Sequence, residues 1–136
     1  MIEIDEMFPV MVADNLEVVK QYYETIFDFK TVFYDVNFYL HIISANNNIQ
    51  LGFLVPNLAS QPEFLHPIMA IDGFVISFEV KDATLAYSEA QKMGLNFALP
   101  LKQEEWGQIH FMVEDPSGLR IDVVQHLEPT VNYQQT

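Results

Sequence analysis

A chain of 136 residues, half of them apolar, is long enough to bury one good core and short for two ordinary domains. Its formal charge of −13, six basic residues against nineteen acids, opposes the phosphate backbone and excludes nucleic acid as an expected partner. The absence of cysteine excludes disulfides, thiolate metal sites and a cysteine nucleophile.

The opening stretch MIEIDEMFPV holds three acids and no basic region ahead of an apolar core. Nowhere do about 18 apolar residues run together. A soluble, cytoplasmic protein with no membrane partner is therefore expected.

In chain order, the alternation MFPVMVA (7–13) predicts a strand that stops at Asp14. DNLEVVKQYYETIF then predicts a helix opened by a capping box, Asp14 as N-cap and Glu17 at N3, with Leu16, Val19, Tyr22, Tyr23 and Ile26 on its apolar face. Three β-rich runs follow, KTVFYD (30–35), FYLHIIS (38–44) and NIQLGFLV (48–55), the last two joined by the turn-forming ANN. Residues 56–73, with Pro56, Pro62 and Pro67, read as a connector. The same order then returns: strand FVISFEV (74–80), Asp82 as N-cap of a helix stopped by Gly94, strand NFALPL (96–101), strand GQIHFMVE (107–114), the turn DPSG and strand LRIDVVQ (119–125). The two halves share order and punctuation, at an offset of roughly 70 residues, more than they share residues. They define modules at 6–55 and 74–126, followed by a polar tail at 127–136.

This doubled βαβββ order, together with VADNLEVVKQYYETIF, ISFEVKDATLAYSEAQKMG and above all WGQIHFMVEDPSGLRIDVVQ, resembles the vicinal oxygen chelate superfamily. Glyoxalase I, fosfomycin-resistance proteins, extradiol dioxygenases and bleomycin-resistance proteins belong to it. The resemblance covers residues 6–126 and implies an α+β fold of two tandem modules whose curved, mostly antiparallel sheet encloses a cavity, with the helices on the convex side.

Metal-using members of the superfamily place four ligands on the concave face, usually His, Glu, His and Glu. Carried over by motif, those positions hold Met7, Gln50, Val75 and Asp122. One carboxylate and one amide do not supply the three or four fixed donors of a zinc, iron or manganese site, so neither metal nor cofactor is expected.

Period-two alternation puts His110 on the face of Met112 and Glu114, opposite Ile109, Phe111 and Val113, and puts His41 with Tyr39. The cavity lining expected from this pattern includes Met11, Tyr39, His41, Gln50, Ser77, Glu79, His110, Met112 and Asp122. Such a mixed surface suits a medium-sized organic ligand. Met7 and Met11 also fit an ordinary core, and His41 a histidine that is merely satisfied or facing solvent. His66 and His126 read as surface residues. Trp106, in a stretch resembling the bleomycin-resistance EWG segment, is expected to flank the ligand groove, or else to close one end of the barrel. Arg120 either neutralises Asp122 or reaches for solvent.

The expected function is metal-independent binding of a small molecule, cationic or aromatic, in a homodimeric protein of the antibiotic-sequestering type. Glu79, Glu104, Glu105 and Asp122 would supply negative potential near Trp106. The alternative is a glyoxalase- or dioxygenase-like lyase or oxidoreductase with a non-standard or absent metal site, and no catalytic residue is assigned to it.

Overall fold

The structure, a computed structural model, describes residues 1–128. Residues 129–136, most of the expected polar tail, lie outside the described residues. The chain forms two compact units, one spanning Met1–Ala70 and one beginning at Ile71, so the division falls inside the proline-rich connector.

The first unit runs β1 (Val10–Val12), α1 (Leu16–Phe27), β2 (Lys30–Asp35), β3 (Tyr39–Ile43) and β4 (Gln50–Leu54). The second runs β5 (Ile76–Glu79), α2 (Ala83–Lys92), β6 (Phe97–Glu104), β7 (Gln108–Glu114) and β8 (Arg120–His126), and a single 3₁₀ turn, Glu63–Leu65, interrupts the connector. Each unit has one four-stranded sheet, ordered β1-β4-β3-β2 and β5-β8-β7-β6. In both, the first strand runs parallel to the fourth and the remaining pairs are antiparallel. The repeat read from punctuation is thus a repeat of topology.

Each sheet buries one face against its own helix. In the first unit Leu16, Val19 and Tyr23, spaced at i, i+3 and i+7, form the buried stripe of α1. The Tyr23 ring lies 5.6 Å from Phe53 and 5.5 Å from Phe29, so α1 is seated by aromatic contact on β4. In the second unit Tyr87 of α2 meets Phe111 at 5.2 Å and Phe97 at 5.0 Å. Phe111, Val113, Ile121 and Val123 complete that core.

The helix entries differ from one another. Asp82 caps α2 as expected, its Oδ1 accepting the Leu85 N–H at 3.0 Å. Asp14, in contrast, does not cap α1. The cap position falls to Asn15, in the left-handed region at φ 54°, with no side-chain cap bond. The reason is local. The Ala13 N–H is still bonded to the Leu54 carbonyl at 2.9 Å, so only Asp14 and Asn15 remain to swing the chain from strand to helix. Asparagine tolerates that left-handed turn better than most residues. Glu17 closes no capping box and instead accepts from Gln21 at 3.0 Å.

Turn chemistry fixes the last hairpin. Asp115 Oδ1 accepts from the Ser117 and Leu119 N–H groups, and Gly118 takes φ 87°, a conformation glycine reaches without strain. Among the described residues no helix is long and apolar enough to cross a membrane.

Candidate functional site

On the second sheet, register decides which side chains share the face turned away from α2. Ser77 pairs with Asp122 and Glu79 with Val124, while on the other side Met112 pairs with Asp122 and His110 with Val124. Ser77, Glu79, His110, Met112 and Asp122 therefore stand together, as alternation predicted.

Three of the neighbouring groups form a closed ionic unit. His110 Nδ1 lies 2.8 Å from Asp122 Oδ1 and its Nε2 lies 2.9 Å from Glu104 Oε2, and all three residues are buried. A carboxylate can only accept, so both ring nitrogens donate and the imidazole is an imidazolium. Burial alone would lower the His110 pKa, but the bonds to Glu104 and Asp122 outweigh it and hold the group above its ordinary value. Glu104 is held below its ordinary value, chiefly by the His110 hydrogen bond, with Lys102 at 3.1 Å adding to the effect and burial opposing it.

The sequence placed Glu104 only in an acidic surround for Trp106. It reaches His110 because β6 runs on to residue 104 and contains two register shifts, after which Lys102 stands opposite His110.

The first sheet carries a counterpart in which the histidine meets a phenol and an amide in place of two carboxylates. Tyr39 Oη lies 2.7 Å from His41 Nδ1, His41 Nε2 lies 2.7 Å from Gln50 Oε1, and Gln50 Nε2 donates to Glu6 at 3.0 Å. Burial raises the Tyr39 pKa, so its phenol stays protonated.

The two arrangements are the same construction. Gln50 pairs with Ile43 and Asp122 pairs with Met112, and the histidine stands two residues before that partner in each case. The cross-strand diagonal that brings His41 to Gln50 also brings His110 to Asp122.

Position corrects one expectation and places the remaining residues. Met11 does not line the Gln50 face: it is 2% exposed, pairs with Phe53 and belongs to the core against α1. The parallel register of β1 sets this, since Val10 pairs with Gly52 and the Gly52 N–H bonds to the Pro9 carbonyl. Phe8, rather than a methionine, reaches the site, its ring edge-on to His41 at 4.7 Å. Trp106 sits in the β6–β7 turn, half exposed, with its N–H on Gln108 at 2.9 Å. Arg120 pairs with Asp72 at 3.2 Å and Glu114 at 3.4 Å, not with Asp122. His66 bonds the Gln61 carbonyl in the connector, and His126 bonds Glu79.

The residues at the superfamily's four ligand positions do not fit a divalent metal. Met7 is exposed and Val75 half exposed, and neither carries a donor for a hard cation. Gln50 and Asp122 are already bonded to histidines. Among the described residues no group of three or more His, Asp or Glu is arranged to hold an ion.

A family model described as the glyoxalase/bleomycin resistance protein/dioxygenase superfamily matches residues 7–123. Solved structures similar to this one include a glyoxalase/bleomycin resistance protein/dioxygenase from Nocardioides, at 14% identity and TM-score 0.77 over 100% of this chain and 93% of that one. Lactoylglutathione lyase from Agrobacterium tumefaciens is similar at 15% identity and TM-score 0.71, covering 89% of this chain and 92% of that one. The fosfomycin resistance protein FosX from Mesorhizobium loti is similar at 16% identity and TM-score 0.63, covering 92% and 93%. At such identities the likeness is one of fold. No curated protein matches the chain. With a family model spanning nearly the whole chain and the doubled topology in place, the chain belongs to the glyoxalase/bleomycin resistance protein/dioxygenase superfamily.

Proposed function

We propose that this chain is a metal-independent small-molecule-binding protein of its superfamily, cytoplasmic and homodimeric, which holds a medium-sized organic ligand on a sheet face, either that of the first unit with Tyr39, His41 and Gln50 or that of the second with His110, Met112 and Asp122. One observation carries the reading. The two polar residues left at the ligand positions, Gln50 and Asp122, are each engaged by a histidine from the neighbouring strand. A cation would have to displace an imidazolium from Asp122, at the cost of leaving Glu104 buried beside it. Acidic residues and the charge of −13 favour a cationic or neutral aromatic ligand over an anionic one.

A second reading, a lyase or oxidoreductase without a standard metal site, has one observation in its favour. Tyr39 and His41 form a hydrogen-bonded acid–base pair oriented by Gln50, the geometry that proton transfer requires.

Native mass spectrometry with elemental analysis tests the proposal in one preparation. The expected result is a dimer that carries no stoichiometric zinc, nickel, manganese or iron after dialysis. About one such ion per chain, lost in Asp122→Ala, contradicts it.

A further inference from the structure

The first sheet bears exposed rings beside the Tyr39–His41–Gln50 network. Phe33 stands opposite His41 in the β2–β3 register, and the rings of Phe33 and Phe38 lie 6.4 and 6.0 Å from that of Tyr39. Phe33 and Phe38 also meet each other edge-on at 6.3 Å, and Phe8 meets His41. All three phenylalanines are exposed to solvent.

Beside these rings the polar groups form a chain with one direction. The Glu6 carboxylate only accepts, so Gln50 turns its NH₂ toward Glu6 and its carbonyl toward His41. That carbonyl only accepts in turn, so His41 carries its proton on Nε2. In the neutral ring Nδ1 is then an acceptor, and Tyr39 commits its hydroxyl proton to it. The Tyr39 oxygen is left with lone pairs alone to offer a ligand.

Gly52 makes the arrangement possible. The Tyr39 hydroxyl lies where a side chain on Gly52 would begin, and a Cβ there would fall far inside its contact distance.

We propose that this face of the first unit binds a planar aromatic ring bearing an N–H or O–H donor. The ring lies against Phe8, Phe33 and Phe38, and the donor bonds to Tyr39 Oη. The inference rests on the small-molecule reading and narrows it to a chemical class. Tyr39 sets the polarity of the ligand group accepted, Glu6, Gln50 and His41 fix that polarity from behind, and Gly52 is a positioning residue. Acceptor-only rings of the same shape gain the aromatic contact and nothing from the hydroxyl.

Indole and 1-methylindole have nearly the same ring and differ in the donor. Each is titrated into the ¹⁵N-labelled full chain and followed by NMR, alongside Tyr39→Phe and Gly52→Ala. Both probes are expected to shift the amides of Phe8, Phe33 and Phe38, with indole bound about fivefold more tightly, the size of one ordinary hydrogen bond. Tyr39→Phe is expected to bring the two probes level while the affinity for 1-methylindole stays. Gly52→Ala, which keeps the hydroxyl but displaces it, is expected to do the same. Tyr39→Phe removes a single oxygen, so the test stands even if Gly52→Ala does not fold.

Equal binding of the two probes to the natural chain, or a preference for indole that survives Tyr39→Phe, overturns the inference. So does a face whose Phe33 and Phe38 amides shift with protein concentration and with neither probe, because a second copy then covers it. None of these outcomes bears on metal content, which tests the parent reading separately.

Discussion

A histidine hydrogen-bonded through both nitrogens to carboxylates stabilises the fold only while it is charged. The His110 pKa is raised in the folded chain above its usual 6.5, so the folded state holds that proton more tightly than the unfolded state does. Its contribution is complete below about pH 6.5 and is lost as pH rises through the higher folded value. Glu104 has the opposite sign. Its pKa is lowered from 4.5, so its contribution is present above that value and is lost as pH falls through the folded one. Thermal melts between pH 5 and 9 are expected to show the midpoint falling as pH climbs past about 6.5. His110→Gln should melt lower at pH 5.5 and lose most of that slope. A slope unchanged by the substitution would remove His110 as its source. The pairing of His110 with Asp122 was half legible in the sequence, since alternation put both on one face. Its second partner was not, because the register shifts that carry Glu104 to it leave no mark in the pattern of apolar residues.

At the scale of elements, the two helices make a controlled comparison. Asp82 accepts the Leu85 N–H and Asp14 caps nothing, although the sequence offers an acid at the corresponding place in both modules. Asp82→Ala is expected to cost about 1 kcal/mol in urea unfolding, and Asp14→Ala a few tenths at most. Equal losses would mean that Asp14 caps α1 after all. Strands and turns with strong local chemistry were legible: β2 matches its predicted span, and DPSG forms the expected turn. The facing of β1 was not. It is a three-residue strand preceded by Pro9, and its side is set by parallel pairing with β4, some forty residues away. That distant register put Met11 in the core and left the Gln50 face to Phe8.

Across the whole molecule, one supersecondary unit occurs twice and one diagonal contact occurs with it, histidine on the third strand to Gln50 or Asp122 on the fourth. The halves differ in charge rather than in this contact's geometry. His41 takes part in a chain ending on an exposed carboxylate, while His110 is locked between two buried ones. The repeat was legible because caps, turns and apolar periods recur in order, although few residues do. The shared diagonal was hidden because it depends on two cross-strand registers. The proposed metal independence requires that these histidines, and not a metal, occupy Gln50 and Asp122. The most direct measurement is a long-range ¹H–¹⁵N spectrum of the imidazoles at pH 7, before and after one equivalent of zinc. Both His110 nitrogens are expected to be protonated, and the His41 and His110 signals to stay unmoved by the ion. A His110 that loses a proton and shifts in stoichiometric proportion to zinc would overturn the metal-independent reading.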